Sequence, residues 1–353
     1  MIIYICANDC IFMSKGRSTI HDIAKELNIT ASTVSRALND HPRISEATKK
    51  AVQEVAHKLN YQTNSIAAAL RSGRSHIMGV IVPTANRSFF ASVVRGIEQV
   101  AYENGYNVLI CQSNDSYEVE VRLVDTLLSM QVDGIIASIG RGTRDFQHFK
   151  KVRQRGVSLV LFDRVNEEMM ASTVVIDDYL GAFRATEHLI EQGCRRIAHF
   201  SGQEHINIYK YRLRGYQEAL LAHGLPFDPD LVFWDTIQLE TGRAAAEQIL
   251  QMDPRPDAIF AASDYAAMGA MQVLKANKIA IPGEVALVGF MNEPFTSFVE
   301  PALTSVDQVS EEMGRFAAKV FLEEVSAENF IPRKTVITPQ LVVRSSSLRP
   351  VTA

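Results

Sequence analysis

The sequence predicts two folds in one chain, a small all-α head and an α/β body of two lobes, each built on a doubly wound parallel sheet. Within residues 18–62, apolar side chains recur at the three- and four-residue spacing of short amphipathic helices. From residue 77 onward, short apolar runs alternate with helical patterns, as expected for repeated βα units. A chain of 353 residues is long enough for both folds.

The head is predicted to contain three helices. The first carries its apolar residues on one face: Ile20, Ile23, Ala24 and Leu27. Thr30 is a good N-cap for a second helix over residues 31 to about 39, and Ser45 is a good N-cap for a third. We expect the core to be completed from these two helices by Val34, Ala37, Leu38, Ala47, Val52, Val55, Ala56 and Leu59.

The first two helices, joined by a three-residue turn, match a helix-turn-helix. In that geometry the start of the second helix reaches base edges in the major groove, which makes candidates of Ala31, Ser32, Ser35 and Arg36. Arg36 can pair bidentately with guanine or contact a phosphate. The start of the third helix suits phosphates through Arg43, Thr48, Lys49 and Lys50. Three packed helices without a role on DNA remain the alternative.

A short helix is predicted over residues 65–71, with Asn64 as its cap. An isolated helix of this length is marginal in water, where about 12–15 residues are usually needed. Its alanines allow two such helices to pair closely, and Leu70 could insert between base pairs in a minor groove. Its candidates for DNA contact are Asn64, Ala67, Leu70 and Arg71. The alternative is a plain linker, for which Gly and Ser would be expected.

The order of residues over 19–39, followed by Tyr61 and by residues 64–70, resembles the LacI/GalR family of bacterial transcriptional regulators, and the resemblance extends from residue 18 to about residue 349. It implies an effector-controlled repressor with a periplasmic-binding-protein-like body, base-reading positions at Ala31, Ser32 and Arg36, and an intercalating Leu70. Ala31 has no hydrogen-bonding group, so its contact would be apolar, for example with a thymine methyl. The resemblance implies contacts mainly to phosphate or sugar for Thr30, Thr33, Ser35, Asn39, Arg43, Ser45, Thr48 and Asn64.

The body is predicted from strand-like and helical runs in alternation. The strand-like runs are 77–82, 106–111, 133–138, 157–162, 173–176, 196–200, 231–234, 257–262 and 285–289. The helical runs are 89–103, 118–130, 146–154, 181–192, 209–223, 241–252 and 265–276. We expect a leader at 1–17, the head at 18–62, a hinge helix and linker at 63–75, and an effector-binding and dimerisation domain at 76–349. Within it, the N-lobe is expected at about 76–163 and 308–335, and the C-lobe at about 164–305 and 336–349.

Ligands of open α/β sheets sit beyond the carboxyl ends of the strands. The polar and aromatic residues that follow the predicted strands are Asn86, Phe89, Phe90, Ser113, Asn114, Asp115, Asp163, Arg164, Asp177, Asp178, Arg212, Ser263, Asp264 and Asn292. Aromatic faces with carboxylates, amides and arginines suit a polyhydroxylated ring. Each residue alone could instead serve a loop or a helix cap, as Ser263 could for the helix that follows it.

The family resemblance narrows this set. It implies pocket aromatics at Phe89 and Phe90, polar effector contacts at Asp163 and Arg212, a pocket wall at Ile237, and an interlobe segment at Ser263 and Asp264. Many relatives carry Gly-(Phe/Tyr)-Asp with a ligand-binding carboxylate, whereas this chain has Gly289-Phe290-Met291-Asn292. Asn292 could substitute for that carboxylate, or the ligand could be acidic and bind Arg212.

Charge and motifs favour a regulator over an enzyme. The chain has a net charge of -4, yet residues 14–76 hold ten Lys/Arg against five Asp/Glu, which is +5, the sign that suits a phosphate backbone. No phosphate-binding loop, nucleophile elbow or metal-binding helix motif is present in the sequence. Cys6 and Cys10 lack the partners of a zinc site.

The sequence therefore predicts a homodimeric DNA-binding regulator with no enzymatic activity, cofactor, metal or membrane contact. Its partners would be operator DNA and a small-molecule effector, which would be a sugar, a sugar acid or similar. We expect it in a bacterial cytoplasm, at the nucleoid, because residues 1–12 lack the basic start of a secretory signal. Met13 is a candidate translation start. The alternative is a sugar-binding sensor or transport-type protein with no DNA role.

Overall fold

The computed structural model describes residues 18–61, 74–327 and 329–349. The chain divides into two compact units between Ser75 and His76, and each unit has a hydrophobic core of its own. The predicted leader and the predicted hinge helix, with Asn64, Ala67, Leu70 and Arg71, lie outside the described residues. None of the helices that the structure describes is both long and apolar enough to cross a membrane.

The head consists of the three predicted helices, α1 (Ile20–Glu26), α2 (Ala31–Leu38) and α3 (Glu46–Lys58). The predicted caps of the second and third helices are present, because Thr30 accepts a hydrogen bond from the Thr33 amide at 3.2 Å and Ser45 accepts one from the Thr48 amide at 3.3 Å. The buried core is formed by Ile23, Ala24, Val34, Ala37 and Val52.

One predicted core residue of the head is wrong. Ala47 is exposed on the first turn of α3, and Ile44 packs against the core instead. Ile44 immediately precedes the Ser45 cap, where an apolar residue commonly fixes the angle at which the chain enters a helix.

The body alternates strands and helices, as predicted. Its strands are β1 (Ile77–Val82), β2 (Asn107–Gln112), β3 (Gly134–Ala137), β4 (Ser158–Phe162), β5 (Ser172–Ile176), β6 (Ile197–Phe200), β7 (Val232–Phe233), β8 (Ala258–Ala261), β9 (Ala286–Met291), β10 (Thr304–Asp307), β11 (Lys334–Ile337) and β12 (Gln340–Val342). Its helices are α4 (Ser88–Glu103), α5 (Tyr117–Ser129), α6 (Gln147–Gln154), α7 (Asp178–Glu191), α8 (Asn207–Ala222), α9 (Leu239–Leu250), α10 (Asp264–Ala276) and α11 (Ser310–Ser326), with short 3₁₀ turns at Pro229–Leu231 and Pro294–Ser297.

The strands form two six-stranded sheets, which define the two lobes. The first sheet has the order β11-β5-β4-β3-β1-β2, and all its neighbouring strands are parallel. The second has the order β12-β10-β9-β8-β6-β7, and only its edge strand β12 is antiparallel to its neighbour. Most strands of both sheets are buried along their length, which explains why they appear in the sequence as nearly continuous apolar runs.

The predicted boundary between the lobes at residue 163 is wrong. β5 pairs with β4 in the first sheet, so the first lobe continues to Ile176. The connection from β4 to β5 contains no helix, unlike most of the connections between neighbouring parallel strands of the body. The alternation of strands and helices therefore restarts in the sequence one strand before the chain enters the second lobe.

The chain crosses between the lobes three times. The first crossover is at Asp177, between β5 and α7, and the second is at Gln308 and Val309, between β10 and α11. The third is at residues 338–339, between β11 and β12. Because α11 packs on α4 and on the first sheet, each lobe is completed by chain from both sides of a crossover.

Candidate DNA interface and effector cavity

The predicted DNA-contacting residues of the head lie on α2, on its flanks and at the start of α3. Those exposed to solvent are Thr30, Ser32, Arg36, Asn39, Arg43 and Ser45, and those half-buried are Ala31, Thr33, Ser35 and Thr48. Ser32 and Arg36 are four residues apart on α2 and therefore share one face of the helix. This face and the N-termini of α2 and α3 offer hydroxyl groups, backbone N–H groups and a guanidinium to a nucleic acid.

Two features of the head limit which residues can reach DNA. Ala31 is half-buried and packs against the head core, so only part of its surface is open to a base. The ammonium of Lys49 lies 2.5 Å from Asp40 and 2.7 Å from Glu46, and only 11% of its side chain is exposed. The charge of Lys49 is therefore neutralised within the head, and the prediction that it suits a phosphate is wrong.

A cavity of about 320 Å³ lies between the two lobes of the body. Its walls come from the segments that follow β1, β2, β3 and β4 in the first sheet and β7, β8 and β10 in the second, together with the end of β9 and the first turns of α8. This is the expected place for a ligand, since the carboxyl ends of parallel strands face a common crevice.

Most of the predicted effector residues line this cavity, namely Phe89, Phe90, Asn114, Asp163, Arg212, Ile237 and Ser263. The structure corrects the other two. Asp264 is fully buried behind the cavity wall, where its carboxylate accepts hydrogen bonds from the Ser305 hydroxyl at 2.6 Å and from the Glu293 amide at 2.8 Å. Burial, together with the nearby Glu293, raises the pKa of Asp264 to about 7 despite these two hydrogen bonds.

Asn292 also serves the framework rather than the cavity. Its side-chain oxygen accepts a hydrogen bond from Arg344 at 2.8 Å, and its nitrogen donates one to Asp307 at 2.9 Å. The chain turns sharply here, with φ of 118° at Met291 and 52° at Asn292. The turn leaves Met291 on the cavity wall, so a thioether stands where the resemblance led us to consider a polar contact.

Arg212 is held by its own lobe. Its guanidinium lies 2.8 Å from the carboxylate of Asp178, donates a hydrogen bond to the Ala262 carbonyl at 2.8 Å, and is stacked 3.7 Å from the ring centre of Phe290. Only 2% of Arg212 is exposed. Burial raises the pKa of Asp178 to about 7, against the opposing effect of Arg212.

Asp115 organises two arginines at the first lobe's side of the cavity. Its carboxylate accepts hydrogen bonds from Arg164 at 2.6 Å and from the Arg141 side chain at 2.9 Å. Burial acts to raise the pKa of Asp115, but the two guanidiniums hold it below its usual value. The carboxylate of the nearby Asp163 is buried and accepts a hydrogen bond from the Ser138 hydroxyl at 3.4 Å, and burial raises the pKa of Asp163.

The cavity residues that the sequence analysis missed include three with charged or amide side chains at the wall: Arg87, Arg141 and Gln308. Arg87 immediately precedes α4, and Arg141 follows β3, so the rule that located the other residues could have found both. Gln308 follows β10, a strand that the apolar pattern did not predict. Gln308 is 2% exposed, and its side-chain oxygen has no hydrogen-bond partner among the described residues.

Direct contacts join the two lobes around the cavity. Arg87 donates a hydrogen bond to Gln238 at 2.6 Å, and its guanidinium lies 4.0 Å from the ring centre of Tyr265. The Ser88 hydroxyl donates to the carboxylate of Glu293. Asn207 of the second lobe donates to the Asp163 carbonyl at 3.0 Å. These contacts depend on the distance between the lobes, so opening of the cleft would break them.

A helix-turn-helix head together with a two-lobed body that encloses a polar cavity defines the class of DNA-binding regulators with a ligand-binding domain. Residues 19–64 match the family model of bacterial regulatory proteins of the lacI family, and residues 75–345 match the model of periplasmic binding proteins and the sugar-binding domain of the LacI family. This chain belongs to the LacI family of bacterial transcriptional regulators.

Relatives match nearly the whole chain. Catabolite control protein A of Priestia megaterium is 32% identical over 312 residues, which cover 88% of this chain and 93% of that protein. The transcriptional repressor CytR of Escherichia coli K12 is 30% identical over 331 residues, which cover 94% and 96%. Among solved structures, a complex of the regulator CelR with cellobiose is 32% identical, with a TM-score of 0.71, and covers 94% of this chain and 100% of its own.

The lac repressor dimer bound to operator and the anti-inducer ONPF is more distant in sequence, at 22% identity, but has a TM-score of 0.84 over 95% of this chain and 100% of its own. At that identity the likeness supports the fold alone. The predicted fold class, a helix-turn-helix head on a periplasmic-binding-protein-like body, is confirmed.

Proposed function

We propose that this regulator is a homodimeric repressor whose operator affinity is controlled by a sugar, sugar acid or similar effector in the interlobe cavity. The observation that carries the proposal is the position of the cavity, because its walls come from both lobes. A ligand that touches both lobes binds the closed arrangement more tightly than the open one and shifts the population between them. The chain is then a binding protein with no chemical turnover.

On the DNA side, we propose that Ser32 and Arg36 read base edges, with an apolar contact from the exposed part of Ala31. Thr30, Thr33, Ser35, Asn39, Arg43, Ser45 and Thr48 would contact phosphate and sugar. The exposure of Ser32 and Arg36 on one face of α2 supports this assignment. In the hinge segment, we keep Asn64, Ala67, Leu70 and Arg71 as DNA contacts and Leu70 as the intercalating residue, as the sequence implies.

On the effector side, we propose direct contact with Phe89, Phe90, Asn114, Asp163, Arg212, Ile237 and Ser263, and we add Gln308. Aromatic rings beside buried polar groups suit a ring that carries hydroxyl groups. The unpartnered oxygen of Gln308 and the buried Nη2 of Arg212, which lacks a well-directed acceptor, supply one acceptor and one donor at the cavity wall. A ligand hydroxyl can satisfy either of them.

The proposed partners are operator DNA, the effector and a second copy of the chain. The solved lac repressor is described as a dimer on its operator. Dimers of helix-turn-helix proteins bind two half-sites that are related by the same symmetry as the protein. A protein that binds operator DNA works in the bacterial cytoplasm, at the nucleoid, which is where we place this one.

A gel-shift titration with the chain's own upstream DNA tests the proposal. We expect a sequence-specific shift that survives competitor DNA, and a change in affinity when an extract fraction or a candidate sugar is added. A body-only protein that begins at His76 should bind the same ligand without any shift. A full-length chain that binds a sugar but shows no specific shift at modest salt would instead support the sugar-binding sensor.

A further inference from the structure

The cavity walls carry more positive than negative groups. Four arginines line the cavity, Arg87, Arg141, Arg164 and Arg212, whereas only two carboxylates do, those of Asp115 and Asp163. Arginines that gather around a ligand cavity commonly recognise carboxylate or phosphate groups, whose oxygens fit the planar guanidinium.

The four guanidiniums also carry more hydrogen-bond donors than the protein uses. Each has five N–H donors. Hydrogen bonds of the described residues use two on Arg212 and one on each of the side chains of Arg87, Arg141 and Arg164. Arg164 Nε and Arg212 Nη2 are buried without a hydrogen-bond partner among the described residues. A ligand rich in acceptors would suit these donors, and an ionised carboxylate or phosphate offers acceptors only.

The carboxylates at and behind the cavity wall do not neutralise the four arginines equally. Asp178, behind the wall, pairs with Arg212, and the single carboxylate of Asp115 is shared between Arg141 and Arg164. The remaining lining carboxylate, Asp163, makes no ion pair within the described part of the chain. Burial raises the pKa of Asp163 against the opposing charges of Arg164 and Arg212.

Arg87 is the cation with the weakest compensation. Its guanidinium contacts the amide oxygen of Gln238 and the ring of Tyr265, and neither carries a charge at neutral pH. The carboxylate of Glu293 accepts a hydrogen bond from the neighbouring Ser88 hydroxyl, and no ion pair joins it to Arg87 within the described residues. Arg87 is half-buried on the cavity wall, so its charge faces the ligand space under little screening from water.

We propose that the effector is an anionic sugar derivative, a sugar that carries a carboxylate or a phosphate, and that Arg87 and Arg141 bind its acidic group. Arg212, which is already paired with Asp178, instead serves the hydroxyl groups. Met291 on the opposite wall adds no negative charge that would oppose an anion. This inference rests on the proposed function of the cavity as the effector site.

Matched pairs of sugars test the proposal with the full-length protein. Thermal shift and calorimetry compare D-glucose with D-glucuronate and glucose 6-phosphate, and D-galactose with D-galacturonate, at fixed ionic strength. The same measurements compare inorganic phosphate and sulfate with chloride. We expect an acid to bind at least about tenfold more tightly than its neutral partner, since charge-assisted hydrogen bonds are roughly twice as strong as neutral ones. A neutral sugar that binds as tightly as its acid overturns the proposal, and so does a series in which no anion stabilises the protein above chloride.

Variants separate the charge of Arg87 from its role between the lobes. Arg87→Gln should lower the affinity for the acid about tenfold or more beyond any change in the affinity for the neutral partner. Gln238→Ala removes the partner of Arg87 but keeps the charge, so the preference for the acid should remain. Arg95→Gln, on the helix that follows Arg87 and with a side chain that is 78% exposed, is the matched control. Equal losses for acid and neutral sugar in Arg87→Gln would contradict the assignment.

The outcome is distinct from that of the proposed function. Operator binding without ligand tests the regulator, and it does not depend on the charge of the effector. If an acid binds but no specific operator shift is found, the charge inference stands and the repressor proposal fails. If a specific operator shift is found and only neutral sugars change it, the repressor proposal stands and the charge inference fails.

Discussion

Replacing Asp264 by asparagine should change how the stability of the body depends on pH. Asp264 is fully buried and holds the Ser305 hydroxyl and the Glu293 amide, and burial raises its pKa to about 7. In the unfolded chain a carboxyl of this type has a pKa of about 4. The folded protein therefore binds this proton more tightly than the unfolded chain, and the free energy of unfolding falls as the pH rises from about 4 to about 7.

The size of the effect follows from the difference between the two pKa values. About 3 units correspond to about 4 kcal/mol over the whole window, of which about 3 kcal/mol is lost between pH 5 and pH 8. Asparagine has no titrating proton, so the variant lacks this dependence. It also loses one acceptor, because its NH₂ group cannot accept a hydrogen bond, and this costs about 1–3 kcal/mol at every pH.

Urea unfolding of wild type and Asp264→Asn, followed by circular dichroism at pH 5 and pH 8, measures the difference directly. The stability advantage of the wild type should shrink by about 3 kcal/mol between the two pH values. Asp230→Asn, which replaces an exposed carboxylate of the same lobe, should run parallel to the wild type. If the difference between wild type and Asp264→Asn is the same at both pH values, the carboxyl titrates normally and the reasoning from burial is refuted.

Arg212→Ala should lower the free energy of unfolding of the body by about 3–5 kcal/mol, because it leaves the buried Asp178 unpaired. The same variant should abolish the effector response. A denaturation curve that matches the wild type would contradict the ion pair. Thr30→Ala should destabilise the head by about 1 kcal/mol through loss of the cap, and thermal unfolding measures this change. An unchanged melting temperature would argue against a stabilising cap. Arg36→Ala should weaken specific operator binding by about 1–3 kcal/mol and relax specificity at one base pair; a uniform loss on all sequences would make it a phosphate contact. Leu70→Ala should weaken specific binding far more than non-specific binding, and equal losses in gel shifts would count against intercalation.

Local sequence patterns were enough to locate the elements of the head and most of those of the body. Thr30 and Ser45 are effective caps in isolation, and strands buried on both faces are nearly continuous apolar runs. The pattern missed β10, β11 and β12, which are short or polar and lie at or near sheet edges. It also placed β5 in the wrong lobe, because strand pairing is set by partners that are distant in the sequence.

The cavity was predicted through the rule that ligands lie beyond strand ends, and this rule identified residues such as Asp163 and Ser263. It could not separate residues that face the cavity from those that support it. Asp264 adjoins Ser263 in sequence yet is turned into the framework, and Asn292 is turned away by the unusual backbone at Met291. Whether one side chain or its neighbour in the sequence points into the cavity depends on backbone angles, which local composition does not reveal.

The three crossovers mean that neither lobe corresponds to a continuous piece of the gene. A fragment that stops at Asp307 would contain most of the first lobe but lack α11 and the sheet edge strand β11. A single proteolytic cut at any one crossover would leave two covalent links between the lobes, so the cut protein should still migrate as one particle under native conditions. Insertions or fusions are therefore best placed in surface loops within a lobe, where they leave all three links intact.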